Sequence, residues 1–265
     1  MAKLNGDFGF TGSLGNLSAY TRRDMKKVIL RGKGGPSKEK IKTSPRFDAT
    51  RRNNAEFGGR ATASRWVMHM LWHLKSLADY NIAGPINALL KHIQTLDPEG
   101  ELGERSIQLS KTPSLLEGFS LNQQRPFDTA IRTQISYTLL RNKQSVSINI
   151  PALLPAINFH PQVSYPMYSL VATLGFIPDL FYHPFGYRPS SEQYEDTGSM
   201  VVYSDWYPVL QGSPAHTLEM QYPMQPPDGS FCMIAGIGIR YGIMKETGVI
   251  EQAPYAGSAK VLAMA

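Results

Sequence analysis

From about residue 101 onward the chain is a succession of strand-length runs separated by Pro, Gly, Asn and Asp clusters, and this texture constrains its fold more than any other feature. The runs fall at 106–109, 130–139, 145–150, 169–175, 200–208, 217–222, 231–244 and 260–263. Val146, Ile148 and Ile150 alternate with Ser145, Ser147 and Asn149, the period of a half-buried strand. Short strands with turn signals and no helical period between them predict an antiparallel sandwich or barrel. Asp228-Gly229 predicts the turn of a hairpin joining 217–222 to 231–244. Within the latter run Gly236, Gly238 and Gly242 share one face. A face without side chains admits a ring, a helix or another backbone at close range.

The preceding region has a different period. Ser44 followed by Pro45 predicts a helix start. Gly58-Gly59 is expected to interrupt that helix. A stronger one is predicted over 61–79, where Trp66, Met70, His73, Leu74 and Leu77 recur at three- and four-residue spacing. A third covers 85–96, with Ile86, Leu89, Leu90 and Ile93 on one face. Residues 1–43 are basic and rich in glycine. The apolar run 14–20 and the compact Val28-Ile29-Leu30 predict a β-hairpin connected near 23–26, and Gly32-Lys33-Gly34-Gly35-Pro36 follows as a flexible break. The expected fold class is α+β: a basic hairpin arm and linker (1–43), a helical segment (44–100) and a C-terminal antiparallel β-sandwich (101–265).

Charge divides the molecule along the same line. Residues 1–60 hold 14 Lys and Arg against 5 Asp and Glu, whereas 61–265 hold 13 against 16. One cysteine, Cys232, rules out an intrachain disulfide, and its apolar neighbours mark it as a small buried hydrophobe. Met1 to Phe10 offer no apolar signal core, and no run approaches the ~20 residues of a membrane helix. The expectation is cytoplasmic synthesis without a Sec signal and without a membrane span, release in an assembled particle being one way out of the cell.

Motifs for chemistry are weak. His69 and His73 sit four apart, but the metalloprotease pattern needs Glu after the first His, and Met70 stands there. Gly236-Ile237-Gly238 resembles half a dinucleotide fingerprint, yet it lies inside a strand-like run instead of opening a helix. The segment 32–38 lacks phosphate-loop spacing. No nucleophile elbow is present, and Glu192, Glu195 and Asp196 read as one solvated loop. Two aromatic groups, Tyr182-Phe185-Tyr187 and Tyr203-Trp206-Tyr207, would stack on sugar rings if exposed and act as packing staples if buried. The expectation is no enzyme, no cofactor and no metal.

The basic arm is the strongest signal. Arg22, Arg23, Lys26, Lys27, Arg31 and Lys33 cluster, Lys38, Lys40 and Lys42 follow, and Arg46, Arg51, Arg52 and Arg60 carry the positive charge into the helices. Such a cluster can neutralise phosphates, protect a sheet edge, or dock on an acidic neighbour. A hairpin this poor in apolar groups is not stable alone, so it must lean on something.

Residues 12–20, 28–31 and 35–43, with Arg51, Asn53, Glu56, Phe57 and Gly58, resemble a group of uncharacterised Bacteroidota hypothetical proteins. The resemblance covers roughly the first 60 residues. It implies an arm, then helices, then a β domain, and it brings no activity or site with it.

The resulting expectation is a structural subunit of a homo-oligomeric or filamentous assembly, such as a tube or phage-like appendage. Other copies of the chain would be its partners. Leu17, Tyr20, Val28, Ile29 and Leu30 would dock, while Arg22, Arg23, Lys26 and Lys27 would pair with charge. The alternatives are a nucleic-acid-associated protein using the same arm and a carbohydrate- or surface-binding module built on Trp206.

Overall fold

The computed structural model describes residues 2–3, 10–22 and 25–265, with side chains throughout except at 2–3, 22 and 25–27. The chain divides into two compact units, Met1–Arg51 and Arg52–Ala265.

The first unit is a four-stranded antiparallel sheet and a short helix. Strands β1 (Ala2–Lys3), β2 (Gly12–Leu14), β3 (Leu17–Arg22) and β4 (Met25–Gly32) lie in the order β1-β4-β3-β2. The expected hairpin is present as β3–β4. The run 14–20 is not one strand, however. It folds back at Gly15-Asn16, with Leu14 opposite Leu17, because Gly15 takes the positive φ (52°) that so tight a turn demands. The β3–β4 connection falls at Arg23 and Asp24, outside the described residues. Helix α1 (Lys38–Thr43) follows, capped by Ser37, whose hydroxyl accepts the Lys40 N–H. Arg51 donates to the Ile41 and Ser44 carbonyls at 2.9 Å and pairs with Asp48 at 3.1 Å, fastening the end of α1.

The second unit is layered. Helices α2 (Asp48–Met70), α3 (Trp72–Lys75) and α4 (Ala83–Thr95) are followed by a single-turn helix, α5 (Phe127–Ala130). Then come β5 (Ser136–Leu140), β6 (Ser145–Ile150), β7 (Met167–Pro178), β8 (Leu180–His183), β9 (Gly186–Pro189), β10 (Met200–Tyr203), β11 (Tyr207–Pro208), β12 (His216–Gln221), β13 (Phe231–Met244) and β14 (Ile250–Met264). The large sheet runs β10-β7-β13-β14, with β11 also on β7; the small one runs β12-β6-β5. Between the sheets lie Leu170, Ala172, Leu174 and Phe176 of β7, Met233, Ala235, Ile237 and Ile239 of β13, and Val146, Ile148, Ile150, Leu218 and Met220 of the small sheet. The fold is α+β with a β-sandwich, as the strand texture predicted.

The helices supply a third layer. Val67, Met70, Leu71, Leu74 and Leu77 pack on Val171, Ile177, Cys232, Ile234, Ala259 and Val261, on the outer face of the large sheet. Strands β7 and β13 are thus buried on both faces, which is why their sequences read as continuous apolar runs instead of alternating ones. The glycines of β13 make this layer possible. A Cβ on Gly236 would lie 2.5 Å from Leu74 Cδ1, and one on Gly238 would lie 2.8 Å from Leu77 Cδ1. The helix occupies the space that the missing side chains leave.

Several local expectations are corrected. Gly58-Gly59 does not interrupt the helix; α2 passes straight through, and the Tyr187 ring rests where a Gly59 Cβ would be. Asp228-Gly229 does not close a β12–β13 hairpin. β12 pairs with β6 from His216↔Ile150 to Gln221↔Ser145, and the chain changes sheets before β13. Residues 106–109 form only an isolated bridge, Ile107 to Leu180, and residues 130–139 become a strand only from Ser136. The last strand starts ten residues earlier than the sequence suggested, at Ile250, because its Ala, Gly and Ser residues carry little β propensity and are held by pairing with β13.

Candidate assembly interface

Strand periodicity sorts the anticipated docking residues onto two faces. Ala19 stands opposite Leu30, and Leu14 opposite Leu17, so Leu14, Leu17, Ala19, Val28 and Leu30 share one face of the N-terminal sheet. Tyr20 and Ile29 are opposite one another on the other face, with Arg31 over the Tyr20 ring at 5.8 Å. The anticipated set is therefore not one patch. Leu17, Val28 and Leu30 are brought together; Tyr20 and Ile29 are separated from them. Ile29 is 2% exposed and is a packing residue, whereas Leu14 and Leu17 are 67% and 40% exposed. Leu14 did not figure among the anticipated residues, and the signal for it was the Gly15-Asn16 turn that folds it back beside Leu17.

Among the described residues Gly12–Leu14 is also an edge of this sheet, and all three residues are exposed. Edge strands present unpaired N–H and C=O groups to any extended chain of matching length. Lys33 closes one end of the edge, donating from its ammonium to the Gly15 carbonyl at 3.0 Å.

The basic residues separate in the same way. Arg22, Lys26 and Lys27 lie on β3 and β4, their side chains outside the described set, and Arg23 lies outside the described residues altogether. Lys38, Lys40 and Lys42 are exposed on α1. Three arginines that extended the positive stretch are engaged instead. Arg51 fastens α1, and Arg52 lies 3.5 Å from Glu101. Arg60 enters a buried cluster in which Glu56 accepts the Gly103 N–H at 3.0 Å and faces Arg60 at 3.8 Å and Arg105 at 3.6 Å. Gln94 accepts from Arg60 at 2.6 Å and donates to the Tyr187 hydroxyl at 3.2 Å. Burial and then the Glu56 charge push the Tyr187 hydroxyl up to about 12. This cluster ties α2, α4 and β9 together, and no local motif in the sequence announced it.

The remaining chemical candidates are dispersed, and some of them are engaged within the protein. His69 and His73 fall on separate helices, α2 and α3. Cys232 is buried under the helices, and burial pushes its thiol up to about 12, far from a nucleophile's range. The second aromatic group is occupied by the protein itself. The Arg240 guanidinium lies 3.9 Å from the Tyr203 ring centroid and 4.5 Å from that of Trp206, and donates to Ser169. Phe185 stands 84% exposed at the β8–β9 tip. Among the described residues no helix is long and apolar enough to cross a membrane.

Comparison of the chain with protein-family models, with curated proteins and with solved structures gave no match.

Proposed function

We propose that the chain is a structural subunit of a homo-oligomeric assembly, in which the N-terminal sheet docks on a neighbouring copy. The observation that carries this reading is that, among the described residues, β2 is the edge strand of the N-terminal sheet beside the exposed Leu14 and Leu17, where Ala19 and Ile29 are the buried apolar residues. The chosen partner is another copy because the charge balance is complementary: residues 1–60 are strongly basic and 61–265 mildly acidic. The role is mechanical. Strand addition at β2 would supply main-chain hydrogen bonds, and the apolar face would set register. A contact that closes gives a ring; one that does not gives a filament.

The test is the molar mass of the full chain by light scattering, beside a Leu14→Glu/Leu17→Glu variant and a chain lacking 1–43. An oligomer that survives high salt and dissociates in both altered forms supports the proposal. A monomeric full chain sinks it.

A second reading uses α1, where Lys38, Lys40 and Lys42 are all exposed, to bind nucleic acid. It requires binding that collapses as salt rises, with a slope set by the phosphates neutralised.

A further inference from the structure

A cavity of about 470 Å³ lies at one end of the β-sandwich, within the second unit, and its wall is cationic. Two loops form its rim. One carries Arg125 and Arg132 to either side of α5; the other carries His160 and Gln162. They are zipped together by their backbones. Arg132 N–H donates to the Asn158 carbonyl at 2.8 Å, His160 N–H donates to that of Ala130 at 2.7 Å, and Ile131 bridges Phe159. The rim is thus held by the main chain, leaving the arginine and histidine side chains to other uses.

The floor is built by an irregularity in the large sheet. β13 pairs with β14 through Arg240↔Gly257 and again through Gly242↔Gln252, so Tyr241 alone stands opposite 253–256. Bulges of this kind re-aim a side chain and recur beside binding sites. Here Tyr241 is buried to 1%, stacks on Tyr165 at 5.4 Å, and its hydroxyl accepts the Gln162 N–H at 3.1 Å. Ser258, just past the bulge, completes the floor.

The electrostatics point one way. Arg125 and Arg132 make no ion pair or side-chain hydrogen bond with another described residue. The carboxylate next to the rim, Asp128, is engaged by Lys260 at 2.6 Å. Burial pushes the Tyr241 hydroxyl up to about 12 even though the Arg125 charge works against that rise, so the phenol stays protonated as a donor. Two guanidiniums, an imidazole, a phenol and a serine hydroxyl therefore converge on one concavity with no carboxylate in its lining.

We propose that this cavity binds a small, multiply charged oxyanion, a phosphorylated or polycarboxylic small molecule. Its volume falls within the usual range for small-molecule sites. Guanidinium forks match carboxylate and phosphate oxygens in pairs. A long polyanion is disfavoured because residues 61–265 carry 16 acidic groups against 13 basic ones. The site is independent of the N-terminal sheet and of the assembly reading.

Titration calorimetry of the full chain with inorganic phosphate, pyrophosphate and citrate tests it; pyrophosphate and citrate separate phosphate from carboxylate recognition. The expected result is saturable binding of at least one of them. Affinity should fall roughly tenfold or more in Arg125→Ala/Arg132→Ala, and stay unchanged in Lys38→Ala/Lys40→Ala/Lys42→Ala. Both arginines are exposed, so the double variant should fold, and its thermal midpoint checks this. Absence of saturable binding by all three anions, or equal binding by the double arginine variant, overturns the proposal. So does binding lost in the lysine variant.

Discussion

The N-terminal sheet and the large sheet of the second unit are both antiparallel and nearly equal in strand number, yet they are stabilised differently. Before Arg52, Ala19 and Ile29 are the buried hydrophobic residues among those described. In β7, by contrast, every residue after Met167 is buried, and helices cover one face while a second sheet covers the other. Hydrogen-bonded ladders are present in both. Apolar burial is far sparser among the described residues of the first, and each fully buried large aliphatic side chain is worth about 1.5–3 kcal/mol.

The comparison breaks first at the helix–sheet contact. Leu74 is fully buried over Gly236, and Leu74→Ala should cost about 3–4 kcal/mol in chemical denaturation of the second unit. A loss under about 1 kcal/mol would mean that the helical layer contributes little. Glu56→Ala comes next. It leaves Arg60 and Arg105 without their shared carboxylate, and about 2–3 kcal/mol should be lost, with Glu56→Gln recovering part through the Gly103 N–H.

Ile29→Ala sharpens the contrast. It should increase amide exchange in β3 and β4 while moving the main thermal transition by at most about 2 °C. A large shift in that transition would show that the two units unfold as one.

A smaller effect concerns pH. Burial raises the Asp179 carboxyl above its ordinary value, against the hydrogen bonds it accepts from the Ser110 hydroxyl and backbone N–H. The native state therefore holds a proton that the unfolded chain releases, and this residue's contribution to stability falls as pH rises above about 4. Asp179→Asn should flatten that slope in denaturation series run from pH 4 to 7. An unchanged slope would show that other groups set it. Smallest of all, Leu14→Glu/Leu17→Glu should alter stability by no more than about 0.5 kcal/mol while changing assembly size.

How much of this was legible follows from the range of the interactions. The alternation of Val146, Ile148 and Ile150 and the apolar runs of β7 and β13 are local signals, and they gave the strands. The glycines at 236 and 238 announced a close approach without naming the partner. The hairpin expected at Asp228-Gly229 failed because a turn signal fixes a change of direction, not which sheet receives the next strand. Instead, Asp228 accepts from the Ser230 N–H and the Tyr194 hydroxyl. The split of residues 14–20 was missed although Gly15-Asn16 carried the turn chemistry, because the flanking leucines looked like one run.

Of the candidate sites, the basic arm was visible as charge density, but its division into an apolar face and an engaged set of arginines was not. The cationic cavity left no motif. Arg125, Arg132, His160, Tyr241 and Ser258 come from two loops and two strands, and residues so far apart along the chain leave no spacing to read. Sequence alone determined the strands with strong alternation or apolar runs, the helical period of α2 and α4, and where the charge lies, because propensity and period act between near neighbours. The tertiary structure decided which strands pair, that a helix fills the glycine face, and which polar groups converge, because those outcomes depend on burial summed over distant parts of the chain.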